Sequence, residues 1–261
     1  MAVVASDVVV YGSTIMPTGD TEQPGGAINT AIKMTFTDMA HTTGIVMSSN
    51  GLSDSCQISA TGRNAGGSIV TDTFLIHETL ARVTGDSAVA FERVLRLGVS
   101  SGSHTGIITI TEDDGPTFTA IGTMENGVDN IYRPFYNVSS AADNAKEYFE
   151  KVFIKNNNAV NNLLSAQISE SGEVGFTDKI TFDLANVQND DHSAPNRLSP
   201  PSGADLLSGT TGDWDDSAKN VPGTDLNSGS GIGVWLKLDL AAGTAADAGQ
   251  YVIQIDGSTT A

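Results

Sequence analysis

The sequence predicts an all-β protein made of two antiparallel, β-sandwich-like domains (jelly-roll or Ig-like) in tandem, and three observations predict it. Apolar and polar residues alternate over strand-length stretches. In Gly231–Gly257, Val234, Leu236, Leu238 and Leu240 alternate with Trp235, Lys237 and Asp239, and Tyr251, Ile253 and Ile255 resume the pattern after a small-residue break. Similar segments recur at short intervals along the chain. Between them lie clusters such as Ser49-Asn50-Gly51 and Asn64-Ala65-Gly66-Gly67, whose residues tolerate the positive φ angles of tight reversals.

The first half offers strands at Val3–Tyr11, Ala31–Thr37, Gly44–Ser48, Cys56–Thr61, Ile69–Ile76, Phe91–Val99 and Gly106–Thr111. The firmest hairpin spans Gly66-Gly67, because Ile58 and Ala60 precede it and Val70 with neighbouring threonines follows. The second half offers Glu147–Lys155, Leu163–Glu170, Lys179–Leu184, Gly233–Leu240 and Gln250–Asp256. Ala141–Glu150 also admits a short helix, with Lys146 and Glu150 at i,i+4 spacing. Phe91–Gly115 and Gly231–Gly257 share one layout: a long strand, a small-residue loop, a second strand and an acidic Gly turn. The expected organisation is a domain over residues 1–115, a linker over 116–130 within Glu112–Asn130 (EDDGPTFTAIGTMENGVDN), which has breakers at both ends, and a second domain over 131–261. A polar, irregular stretch at 187–227 is long for a compact domain and reads as a projecting, contact-making loop.

Thirteen Lys and Arg against 31 Asp and Glu give a formal charge of −18. The acidity is even: residues 1–130 carry 5 bases and 14 acids, and residues 131–261 carry 8 and 17, a formal −9 in each half. Such a field opposes attraction to nucleic acid or anionic lipid, so neither is an expected partner. Cys56 is the single cysteine, which excludes an intrachain disulfide and any multi-cysteine metal site; it reads as a small buried apolar residue. The opening MAVVASDVVVYGS has no basic region before its apolar residues and does not read as a secretory signal. No apolar run approaches the ~20 residues of a membrane-spanning helix.

The search for chemistry returns little. His41, His77, His104 and His192 are scattered, without a second ligand residue at helical spacing. There is no Gly-x-Ser-x-Gly elbow and no Walker loop, and Gly229-Ser230-Gly231-Ile232-Gly233 leads into a strand rather than the helix N-terminus that holds phosphate. Carboxylate groups occur at Glu112-Asp113-Asp114, Asp190-Asp191 and Asp213 with Asp215-Asp216 around Trp214, all in turn-like contexts where Asp caps its own backbone. The Trp214 segment combines an aromatic surface with polar groups suited to a sugar, or oxygen atoms suited to calcium, but it does not fit the calcium-loop pattern. No catalytic, cofactor-binding or metal residues are therefore expected, and the chain is not expected to be an enzyme. The expected ligand or partner contacts are Asp190, Asp191, Asp213, Trp214 and Asp215, with the N-terminal segment adding as an edge strand to a neighbour.

MAVVASDVVVYGS, TGRNAGGSIVTDTF followed by FERVLRLGVSS, EYFEKVFIKNNNA, and VPGTDLNSGSGIGVWLKLDLAAG together resemble segments of tailed-bacteriophage virion structural proteins. The resemblance covers most of the chain and is one of style and segment order. It implies a capsid decoration (cement) protein that binds the outer shell and stabilises the head. The major capsid protein or other virion subunits would be its partners, a homo-oligomer (trimer favoured) its state, and the virion its location after synthesis in the host cytoplasm. The alternatives are a tail-tube, head–tail connector or other tail component, and a fibre or adhesin binding host glycans.

Overall fold

The structure, a computed structural model, describes residues 2–34, 37–77, 83–85, 88–115, 118–140, 142–174, 179–243 and 250–259. Every regular element among them is a strand, apart from two single-turn 3-10 helices at Ala5–Asp7 and Gly203–Asp205. The strands are β1 (Val8–Ile15), β2 (Gly25–Lys33), β3 (Ile45–Ser49), β4 (Ser55–Arg63), β5 (Ile69–His77), β6 (Val83–Thr84), β7 (Arg93–Ser103) and β8 (Ile108–Glu112). They continue with β9 (Ala120–Met124), β10 (Asn130–Tyr132), β11 (Lys146–Asn156), β12 (Leu164–Val174), β13 (Lys179–Gln188), β14 (Lys219–Asn220), β15 (Gly231–Leu240) and β16 (Gln250–Ser258). The chain is all-β, as the alternation requires.

Contacts divide it into two units, and not in the sequential way the sequence suggests. Unit 1 takes residues 1–29 and 134–261, and unit 2 takes residues 30–133. The physical reason is strand pairing. β1 pairs antiparallel with β11, with Tyr11 opposite Phe153, so the N-terminus folds with the C-terminal half. The same pairing places β1 between β11 and β2, so the N-terminal segment is not a free edge strand. Residues 116–130, expected as a linker, contain β9 and the start of β10, both paired within unit 2.

In unit 2, β10, β7, β4 and β5 follow one another in one sheet, and β6-β3-β8-β9 form a second. Their inward residues meet in one apolar cluster: Ile58 and Phe74 from the first sheet, Met47, Ile110 and Met124 from the second, all fully buried. Buried Cys56 belongs to this cluster. The β4–β5 hairpin forms as expected, Arg63 pairing with Ile69. Its turn is closed by the Asn64 side chain, which accepts from the Gly66 and Ser68 amides, with Gly67 at φ 75°.

In unit 1, β13-β15-β11-β1 run in order in one sheet, and β14-β12-β16 form another. Lys146 and Glu150 lie on β11, opposite Leu240 and Leu236 of β15, so the short-helix option is replaced by strand; Ala141 lies outside the described residues. β15 is buried on both faces: Val234 and Leu238 on one, Trp235 on the other. β15 and β16 belong to different sheets, and so do β7 and β8. The layout shared by Phe91–Gly115 and Gly231–Gly257 is thus a crossing from one sheet to another, not a hydrogen-bonded hairpin.

Candidate functional site

The site is the 187–227 stretch of unit 1 and the strand face beneath it. The stretch does not project. The Gln188 amide donates to the carbonyls of Pro222 and Asp225 (3.0 and 2.7 Å), the Asn189 amide reaches Gly231 O, and single bridges join Ala185 to Leu206 and Phe182 to Asp215.

Two buried ion pairs add to this clamp. Lys151, central in β11, is 1% exposed, and its Nζ lies 2.5 Å from Asp190 Oδ2. The same nitrogen donates to the carbonyls of Gly26 (3.1 Å) and His192 (3.0 Å). Glu150, the preceding residue on the opposite face of the strand, pairs with fully buried Arg197, whose backbone carbonyl accepts from the Phe149 amide. Burial pushes the Glu150 pKa up against the pull of the Arg197 guanidinium. Burial likewise pushes the Lys151 ammonium down, opposed by Asp190. Asp190 is therefore a correction to the expected contact residues: at 3% exposure its carboxylate is spent inside the protein, whereas Asp191 beside it is exposed.

Asp213, Trp214 and Asp215, adjacent in the chain, line a cleft of about 420 Å³ with Asp183, Leu207, Ser208, Gly212 and Lys219. The cleft is shallow and open to solvent. Trp214 tilts against Phe149 with ring centroids 5.3 Å apart, packs against the buried Trp235–Leu206–Ala194 cluster, and donates its indole N–H to Thr211 O (2.8 Å). Asp215 accepts from the Ser217 amide and hydroxyl and pairs with Lys219, whose ammonium lies 5.1 Å from the Phe182 ring centroid. At the cleft floor, Ser208 Oγ donates to Asp183 Oδ2 (2.6 Å); burial raises the Asp183 pKa, and the Ser208 bonds oppose it. Asp213 is exposed at the rim. The lining offers an aromatic wall, a hydroxyl, an amine and carboxylates, which suits binding of a polar, hydroxyl-rich ligand.

Sequence reasoning missed one grouping. In unit 2, His41, Glu112 and Asp114 place ligand atoms within 4.8 Å of one another, the one such trio among the described residues. Fully buried Glu112 accepts from the Ala40 amide and faces His41 Nδ1 at 2.9 Å, so its charge has partners without any ion. His41 lies 71 residues from Glu112, which hides the trio from motif spacing. The other histidines lie apart. His104 is buried, with ring nitrogens 2.9 Å from Gly106 O and 3.0 Å from Val128 O.

No protein-family model and no curated protein matches this sequence. Among solved structures, the chain is similar to a structure of infectious bursal disease virus Gx strain, at 10% identity over 97% of this chain and 70% of that one, with a TM-score of 0.14. It is similar also to the VP2 subviral particle of infectious bursal disease virus, at 8% identity over 97% and 66%, again with a TM-score of 0.14. Likeness that low says nothing about fold or function.

Proposed function

We propose that this chain is a non-enzymatic structural subunit of a tailed-bacteriophage virion, a decoration protein that binds the outer capsid shell and reinforces it. The observation that supports this reading best is the clamped 187–227 stretch. A binding protein gains affinity when its contact surface is ordered before the partner arrives, because less entropy is lost on association. Here a long, polar, helix-poor segment is pinned to a sheet by Lys151–Asp190 and Glu150–Arg197, and the rims of its cleft carry exposed carboxylates. A chain of formal charge −18 fits basic patches on shell subunits and avoids non-specific adhesion to DNA.

The test is to add the purified chain to heads lacking it. Saturable binding with greater resistance to heat is expected, and Asp213→Lys with Asp215→Lys weakens it. Heads that neither bind the chain nor gain stability would overturn the reading.

The Trp214 cleft favours a second reading, a fibre or tail adhesin that holds host glycans. A glycan array answered by the wild type and lost in Trp214→Ala would move the assignment there; a blank array removes it.

A further inference from the structure

A lysine at the centre of a buried strand is a costly choice unless it has a task, because its charge must leave water. Lys151 stands opposite Trp235 in the β11–β15 register. Its Nζ lies 4.8 Å from the Phe153 ring centroid and 5.3 Å from that of Trp235. Gly233 of β15 makes the slot possible: a Cβ there would sit 2.6 Å from Asp190 Oδ1 and 2.8 Å from Lys151 Cε. Both side chains of the pair are 0% exposed.

Hydrogen bonding at Asp190 is lopsided. Oδ2 takes the lysine and the His192 amide (3.3 Å), while Oδ1 is buried with no donor. Above Oδ2 stands His192, its Nδ1 3.6 Å away and its Nε2 3.4 Å from Asp205 Oδ1. The His192 ring, 44% exposed, thus stands beside both carboxylates.

We propose that Lys151 and Asp190 join covalently, forming an intramolecular isopeptide bond without help from another enzyme. The carbon under attack is one bond from the oxygen the amine already touches, so proximity is supplied by the fold. A proton first passes from the ammonium to the carboxylate, leaving a neutral amine and a neutral acid in a pair whose total charge stays zero. The Nζ lone pair then attacks Cγ and the C–N bond forms. The C–Oδ2 bond breaks, and the departing hydroxyl takes the second amine proton through His192 Nδ1, which ends unchanged. One amide and one water result, with no oxidant, reductant or co-reactant. Burial, which pushes the Lys151 pKa down, favours the amine that must attack. The bond fastens β11 to the start of the 187–227 stretch, 39 residues onward. It does not depend on the proposed virion role.

Intact mass of the denatured full chain decides. The wild type is expected lighter than its sequence by one water, with a branched proteolytic peptide joining the Lys151 and Asp190 segments. Asp190→Asn is expected to be lighter by one ammonia instead, and Lys151→Met and Asp190→Ala to show their full sequence masses. His192→Ala slows the appearance of the branched peptide in freshly made protein. Full sequence mass in folded wild type, with unbranched Lys151 and Asp190 peptides, would leave a plain ion pair and overturn the proposal. So would a water loss mapped instead to Asp114-Gly115 or Asp256-Gly257.

Discussion

Asp54 in unit 2 is buried singly and answered by hydrogen bonds, whereas Glu150 and Asp190 in unit 1 are buried against cations. Asp54 in unit 2 is 1% exposed and accepts from the Ser49 hydroxyl, the Thr105 amide and hydroxyl, and the Gly106 amide. Glu150 and Asp190 in unit 1 face Arg197 and Lys151. Around Asp54 the donors are Ser49, 5 residues away, and Thr105 and Gly106, 51 and 52 residues away, so hydrogen bonds to one carboxylate tie two distant turns together. In unit 1 the partners lie 47 and 39 residues apart, so the same expense in desolvation fastens a long segment to a sheet. The buried Glu150–Arg197 pair adds little net stability against an apolar replacement, but it penalises every arrangement that separates its two charges.

The largest effect separating the two designs is expected from Glu150→Ala, which leaves the Arg197 guanidinium buried without its counter-charge. A loss of about 3–5 kcal/mol is expected, and far less in the double variant Glu150→Leu with Arg197→Met. Both tryptophans, Trp214 and Trp235, lie in unit 1, so urea unfolding followed by their fluorescence reads this unit. A double variant as unstable as the single one would break the comparison.

A smaller effect is expected in unit 2. Asp54→Ala strands the Thr105 and Gly106 amides, at a cost of about 1–3 kcal/mol. Cys56, buried in the unit 2 core, is the probe: its thiol should react faster with a labelling reagent in the variant while the tryptophan transition stays put. Unchanged labelling would mean that other donors already hold those turns.

Acid distinguishes Asp54 from Asp183 by sign. Burial alone would raise the Asp54 pKa, but the bonds from Ser49, Thr105 and Gly106 outweigh it and hold the carboxyl low. Its contribution is present above the unfolded value, about 3.9, and lost as pH falls through the folded one. Asp183 is raised by burial, so its contribution is present below the unfolded value, about 3.9, and lost as pH rises through the folded one. In Asp54→Ala the fall of stability below about pH 4, read by Cys56 labelling, should therefore flatten relative to the wild type. An unchanged acid profile contradicts the assignment. The smallest effect is expected at the exposed rim, where Asp213→Asn changes stability by no more than about 0.5 kcal/mol.

Alternation and turn chemistry carried much of this structure. β3, β4, β5, β11 and β15 lie within a residue or two of where their sequence periods put them, since each buries at least one apolar face. β9 was hidden because only Ile121 and Met124 of its five residues are buried apolar side chains, between breaker-rich flanks. The assignment of β15 and β16 to separate sheets, and of β1 to the far half of the chain, depends on long-range pairing that no local pattern records. Of the expected contact residues, Asp213, Trp214 and Asp215 meet at one cleft, while Asp190 turned inward. The cue to that reversal was already in EYFEKVFIK: Glu150 and Lys151 interrupt an otherwise aromatic and apolar strand, and charges so placed require partners from elsewhere.

The central claim is that residues 187–227 form an ordered, charge-clamped surface, and hydrogen exchange on the intact chain tests it most directly. The amides of Asn189, Ala194, Leu207 and Leu226, each bonded to a backbone carbonyl, are expected to exchange slowly in the wild type and to lose protection in Glu150→Ala. Exchange across this stretch at the rate of an unstructured peptide in the wild type would contradict it.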